Sequence, residues 1–179
     1  MKKSQSEAAK KQWPMRHSLA IQENIVLPGD TNAHDTLFGG LLMKRIDETA
    51  AISARRHCQT AVVTASNDGV HFHRPIQNND IVTLESYVCS VGTSSMEIFV
   101  KILTEGYGEE KQRKIAAISF LTFVALGSDG KPTEVPGVFP EGEEEQLLFR
   151  DRAVRKEARL KKRDETNQLI HSLTESTHP

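Results

Sequence analysis

The hydrophobic period of this chain changes once, near residue 60, and that change narrows the possible folds more than any other feature. Before it, the run following Gly40, LLMKRIDETAAISARRH, consists of helix formers, and a helix is expected from Gly40 to about His57. After it the period is two. Ala61 to Arg74, Ile81 to Val91, Ser94 to Glu105 and Lys114 to Leu126 are expected strands, with NND, VGTS and YGEEKQ as connections. The last two alternate well, with Met96, Ile98, Val100 and Ile102 on one face, and Ile118, Phe120, Thr122 and Val124 on one face of the other. Arg16 to Leu27 alternates loosely and is expected as a further strand; PGDTNAHDTLFGG then forms a shaped loop. One strand, one helix and four successive strands make an α+β pattern. A mostly apolar helix and a long antiparallel meander bury each other if the sheet curls around the helix.

Composition places this unit within the chain. The 179 residues are 37% hydrophobic and 26% charged, which reads as one compact domain diluted by polar tails. Residues 1–14 are expected to be a flexible tail, residues 15–140 the domain, and residues 141–179 a charged helical extension. That extension, Glu143 to Leu173, offers only Leu147, Leu148, Val154, Leu160, Leu169 and Ile170 as an apolar stripe. It reads as a solvated helix with a narrow docking edge, and its removal past Gly142 is expected to leave folding and chemistry intact. Lys plus Arg at 23 against Asp plus Glu at 24 gives a net charge of -1, so no global field recruits nucleic acid or an anionic membrane. No apolar run approaches the ~20 residues of a membrane span. Cys58 and Cys89 allow at most one bridge and the opening MKKSQSEAAKKQ is no secretion signal, so a reduced cytoplasmic protein is expected.

The helix and the loop before it hold the residues suited to chemistry. At about 100° per residue, Met43, Ile46, Ala50, Ala51 and Ala54 share an apolar face, and Asp47 falls inside it while Glu48 does not. A carboxylate facing a core is costly unless paired or used. Desolvation there would raise its pKa and suit it to act as a general base, whereas the bland reading is an aspartate satisfied by backbone donors or a dimer partner. Gly39 and Gly40 open the helix, where free first-turn amides and the helix dipole favour an oxyanion; a diglycine can equally be a plain cap. Asn32 is suited to orient water or a carbonyl, or simply to form an Asx turn, and His34 beside it is a candidate acid or an idle loop histidine. His71 and His73 share a strand face and with His57 or Cys58 would suggest zinc, but neither CxxC nor HExxH supports a metal site, and none is expected. Cys58 is read as packing, and neither a GxSxG elbow nor a phosphate-binding glycine loop is found.

The stretch DTNAHDTLFGGLLMKRIDETAAISARRHC, Asp30 to Cys58, resembles the hotdog-fold acyl-CoA thioesterases of the cytosolic acyl-CoA hydrolase family, single-domain bacterial type. TASNDGVHFHRPIQNND, VGTSSMEIFV and ISFLTFVALGSDGKPTEVP follow in family order, so the resemblance covers roughly Arg16 to Pro140. It implies a central helix wrapped by a curved antiparallel sheet, and hydrolysis of acyl-CoA to free CoA and a fatty acid. It also implies Asp47 as base or nucleophile, and Asn32 as its partner from a second subunit, with amides around Gly39 and Gly40 polarising the thioester. It implies CoA along the subunit interface, with Arg74 and the Gly92, Thr93, Ser94, Ser95 turn at the nucleotide and phosphate end. No cofactor is implied beyond the CoA of the substrate, and a dimer within a trimer of dimers is. Many members carry glycine where this chain has Asp35; if that position needs positive φ, aspartate is a tolerable but strained replacement. Two rival functions are a hotdog dehydratase using His34 with Asp47, and a non-catalytic acyl-CoA sensor. The asparagine-to-aspartate spacing and the short N-terminus favour the hydrolase.

Overall fold

A computed structural model describes residues 11–106 and 112–176. Seven strands and three helices follow one another as β1 (Gln12–Pro14), β2 (Ala20–Ile25), α1 (Gly39–Cys58), β3 (Ala61–Phe72), β4 (Ile81–Val91), β5 (Ser95–Glu105), β6 (Lys114–Leu126), β7 (Gly137–Phe139), α2 (Glu143–Arg150) and α3 (Arg152–Ser176). Five strands form an antiparallel sheet in the order β2-β4-β5-β6-β3. The sheet wraps α1, which packs against all five.

The strand boundaries follow the period-two reading closely, and the departures have local causes. The segment expected as one strand from Arg16 begins with a 3-10 turn, Met15–Ser18, because the buried Ser18 hydroxyl donates to the Met15 carbonyl and accepts from the Val88 amide. β3 stops before His73 because the amides of His73 and Arg74 both donate to the Ala116 carbonyl, which breaks the ladder. Most of the YGEEKQ connection, like residues 1–10 of the expected tail, lies outside the described residues. The rest of that tail is held: β1 pairs in parallel with β7, and Trp13 stacks on His17 with ring centroids 4.4 Å apart.

Met96, Ile98, Val100 and Ile102 are buried against α1, as their alternation implies. Their neighbours Glu97 and Phe99 are buried too, because a third layer covers the other face of the sheet. Phe120 pairs across strands with Phe99, and the Arg155 guanidinium of α3 lies 4.8 Å from the Phe120 ring. Leu148 and Phe149 of α2 pack on this face, and Glu144 accepts hydrogen bonds from the Tyr87 hydroxyl at 2.8 Å and the Lys101 ammonium at 2.7 Å.

The C-terminal segment therefore departs from the expected single solvated helix. It is two helices broken at Asp151; of the expected stripe Leu148 packs on the sheet while Leu147, Val154, Leu160, Leu169 and Ile170 stay exposed, and polar anchors supply the rest of the docking. Arg155 and Arg159, one turn apart on α3, both reach the buried Glu97. Both cysteines are free thiols, and among the described residues no helix is long and apolar enough to cross a membrane.

Candidate active site

The loop between β2 and α1 is tied at several points. The Phe38 amide donates to the Asp30 carbonyl at 2.8 Å, and the Asp30 carboxylate accepts from Arg45 of α1 at 3.1 Å. Leu37 donates to Ile76 and Asn78 to the Asp35 carbonyl, which sews the loop to the turn before β4. Asn32 shapes the loop from inside: its side-chain oxygen accepts from the His34 amide at 2.8 Å and its side-chain nitrogen donates to Thr36 Oγ1 at 3.0 Å. In the protomer Asn32 is thus the Asx-turn residue. Asp35 takes φ = 57°, the left-handed conformation in which glycine costs least.

Phe38 is the N-cap of α1 and offers no side-chain acceptor, so the first-turn amides at Gly39 and Gly40 are left for another acceptor. A Cβ on Gly40 would come within 2.5 Å of the Phe38 ring, which explains the second glycine locally. Gly39, Asn32, Thr36, Phe72 and Arg74 line one cavity of about 270 Å³. The structure therefore brings together three of the residues singled out from the sequence: Asn32, Gly39 and Arg74.

Asp47 is elsewhere. It lies eight residues beyond Gly39, roughly 12 Å along the helix axis at 1.5 Å per residue. It is also not in the buried stripe of α1, which consists of Leu42, Ile46, Thr49, Ala50, Ser53, Ala54 and His57. Met43, placed by the helical wheel on the core face, is 49% exposed, and Asp47 is half-buried. The wheel misled because polar Thr49 and Ser53 take core positions, where Thr49 donates to Gln22 and Ser53 bonds Ser86. Asp47 Oδ1 accepts a 2.9 Å hydrogen bond from Thr64 Oγ1 of β3. Sequence reading passed over Thr64; its only signal is that it opens the stretch TASNDGVHFHRP on the strand that follows α1.

The expected nucleotide-end residues do not meet within a protomer. Arg74 sits level with Ala116 of β6 and Ser95 with Val124, eight residues or roughly 25 Å along the strand. Gly92 closes the β4–β5 turn by donating to the Ser95 carbonyl, while the carbonyls of Thr93 and Ser94 accept from Val135 and Ala125. His34, His71 and His73 are exposed, and among the described residues no group of three His, Cys, Asp or Glu is placed to hold a metal. Phe38, Met43 and Phe72, the last 60% exposed, are exposed apolar residues on the α1 side of the sheet: Phe72 lines the cavity, Phe38 lies against Gly40, and Met43 stands on α1 one turn from both Gly39 and Asp47, beside the free edge of β3.

Comparison with known proteins fits this arrangement. The family model of the thioesterase superfamily matches residues 34–111. An acyl-CoA thioester hydrolase of Bacillus subtilis is 49% identical over 158 residues, 88% of this chain and 91% of that protein. The acyl-CoA hydrolase of Staphylococcus aureus, solved with butyryl-CoA, CoA and CoA disulfide, superposes with a TM-score of 0.87 at 43% identity, over 91% of this chain and 99% of that one. A hexameric acyl-CoA thioesterase superposes with a TM-score of 0.81 at 41% identity, over 85% of this chain and 97% of that one. The helix wrapped by an antiparallel sheet is the hotdog fold of a thioesterase. The chain belongs to the acyl-CoA thioester hydrolases of that superfamily, enzymes that cleave thioester bonds. The Staphylococcus enzyme has also been solved with alanine at an asparagine, at an aspartate and at a threonine. Those three positions are spaced along its chain as Asn32, Asp47 and Thr64 are here.

Proposed function

We propose that this protein hydrolyses acyl-CoA to CoA and a fatty acid at sites shared between two copies of the chain, assembled as a trimer of dimers in the cytoplasm. The observation that carries the shared site is the separation of its parts. The uncapped amides with Asn32 and the Asp47–Thr64 pair both open on one exposed apolar face, yet lie roughly 12 Å apart along α1. A two-fold related protomer laid on that face sets Asp47 of one chain opposite Gly39, Gly40 and Asn32 of the other. The same contact covers Phe38, Met43 and Phe72 and dries the site.

In this reading the thioester oxygen lies at the first-turn amides, where the helix dipole stabilises the developing oxyanion. Asn32 orients the thioester or the water. Water adds to the carbonyl carbon while Asp47, held by Thr64, takes its proton. The oxyanion collapses, the carbon–sulfur bond breaks, and the proton passes to the departing CoA thiolate. No cofactor enters the reaction, and CoA is present only as part of substrate and product.

The test is thiol release from short-, medium- and long-chain acyl-CoAs. Asp47→Asn and Asn32→Ala are each expected to lower kcat by about 10²–10⁴-fold. Unfolding the two variants together and refolding them makes half the dimers hybrid, each with one intact site of two, so about a quarter of native activity returns. Full activity in Asp47→Asn would remove the base from this scheme. No recovery on mixing would place the whole site in one protomer.

A further inference from the structure

α3 is longer than its support. Arg155 and Arg159 reach Glu97 of β5, and Arg159 also reaches Asp68 of the edge strand β3 at 3.8 Å. Beyond Arg159 the helix continues to Ser176, roughly 25 Å at 1.5 Å per residue. Every residue from Lys161 to Glu175 is exposed. A helical segment of about fifteen residues standing alone is marginal in water, and packing supplies most of a helix's stability.

The exposed residues follow a pattern. At about 100° per residue, Val154, Ala158, Lys162, Glu165, Leu169 and Leu173 share one flank of α3, turned by roughly 70° from the face of Arg155 and Arg159. Val154, Leu169 and Leu173 are 70%, 59% and 56% exposed. Along the helix this flank reads apolar, small, basic, acidic, apolar, apolar. Laid antiparallel on a copy of itself, about a two-fold axis between Lys162 and Glu165, it is self-complementary. Val154 meets Leu173, Ala158 meets Leu169 and Lys162 meets Glu165, each pair occurring twice. A small residue then faces a large one and opposite charges face each other. A parallel pairing would set Lys162 against Lys162 and Glu165 against Glu165, so the charges select the antiparallel arrangement.

We propose that this flank of α3 packs antiparallel on the same flank of α3 in a second copy of the chain, clasping two protomers on the side of the sheet away from α1. The second copy is the one laid along β3 in the shared-site reading, and the inference rests on that reading for its partner. β3 carries both Thr64, which holds Asp47, and Asp68, which anchors α3, so a single two-fold axis serves both contacts.

The test is oxidative cross-linking of the full chain carrying Cys58→Ser, the other cysteine, Cys89, being buried. Ala158→Cys alone and Leu169→Cys alone are expected to give no covalent dimer, because like positions lie roughly 16 Å apart in this pairing, beyond the reach of a disulfide. The two substitutions in one chain, or the two single variants unfolded and refolded together, are expected to link. Lys156→Cys with Asn167→Cys has the same separation on the far flank and is expected to link about tenfold more slowly. Lys162→Glu is expected to slow linking at 158 and 169 several-fold, and adding Glu165→Lys to restore it. Single variants that link as readily as the pair, or far-flank cysteines that link as fast, would overturn the proposal. Sedimentation of the native protein separates the two readings. An oligomer in which positions 158 and 169 never link would remove the α3 contact and leave the shared site standing, whereas single chains in solution would remove both.

Discussion

The sharpest consequence of the third layer concerns Arg155. Glu97 lies in the middle of β5 and is only 2% exposed, and its carboxylate accepts from Arg155 at 2.9 Å and 3.2 Å and from Arg159 at 2.5 Å. Arg155→Met keeps the apolar stem over Phe120 and removes the charge. Stranding a buried charge costs about 3–5 kcal/mol; Arg159 remains and Arg155 is itself 20% exposed, so about 3 kcal/mol is expected. At an m-value of about 2 kcal/mol/M, the urea midpoint falls by roughly 1.5 M. Adding Glu97→Gln removes the stranded charge and is expected to recover at least half of that loss, since Arg159 still has Asp68 at 3.8 Å. A midpoint shift below about 0.5 M, or further loss on adding Glu97→Gln, would refute the view that α3 is latched by this cluster.

Truncation after Gly142 is expected to uncover Phe99, Phe120 and Tyr87 along with Glu97; loss of cooperative unfolding by circular dichroism checks it, and a native-like transition would return α2 and α3 to the role of a dispensable tail. His57 donates from Nε2 to the Pro136 carbonyl at 2.9 Å while its buried Nδ1 has no partner, and burial lowers its pKa. The unfolded imidazole therefore takes its proton first, near pH 6.5, and stability falls as pH drops below that value toward the folded pKa. Melting curves of His57→Gln across this window should show a lower but flatter profile, and an unchanged slope would count against the assignment. At Asp35, with its positive φ, glycine is expected to be neutral or stabilising by up to about 1 kcal/mol and valine to cost about 1–2 kcal/mol; equal thermal stability of the two would show that the loop relaxes.

What the sequence disclosed and what it hid divide along one physical line, the sequence distance over which a residue meets its partners. β4 and β6 are readable to the residue because alternation is local, and the shaped loop is readable because Pro, Gly, Asp and Asn state their backbone preferences one residue at a time. The roles of Thr64 and Glu97 depend on partners brought together only by strand pairing and helix docking, and no periodicity marks them. The clearest case is the pair of acidic residues. The helical wheel singled out Asp47 as a carboxylate inside a core and left Glu97 as an ordinary strand residue, whereas burial in the fold is the reverse. Chemistry follows from the difference. Glu97 is saturated by two guanidiniums and sealed beneath α3, so no substrate reaches it. Asp47 is held through one oxygen by one hydroxyl, its other oxygen has no hydrogen-bond partner among the described residues, and it stands at an open apolar face. A carboxylate that is oriented but not spent is the one that can take a proton from water, which is why the half-buried residue, and not the buried one, carries the proposed reaction.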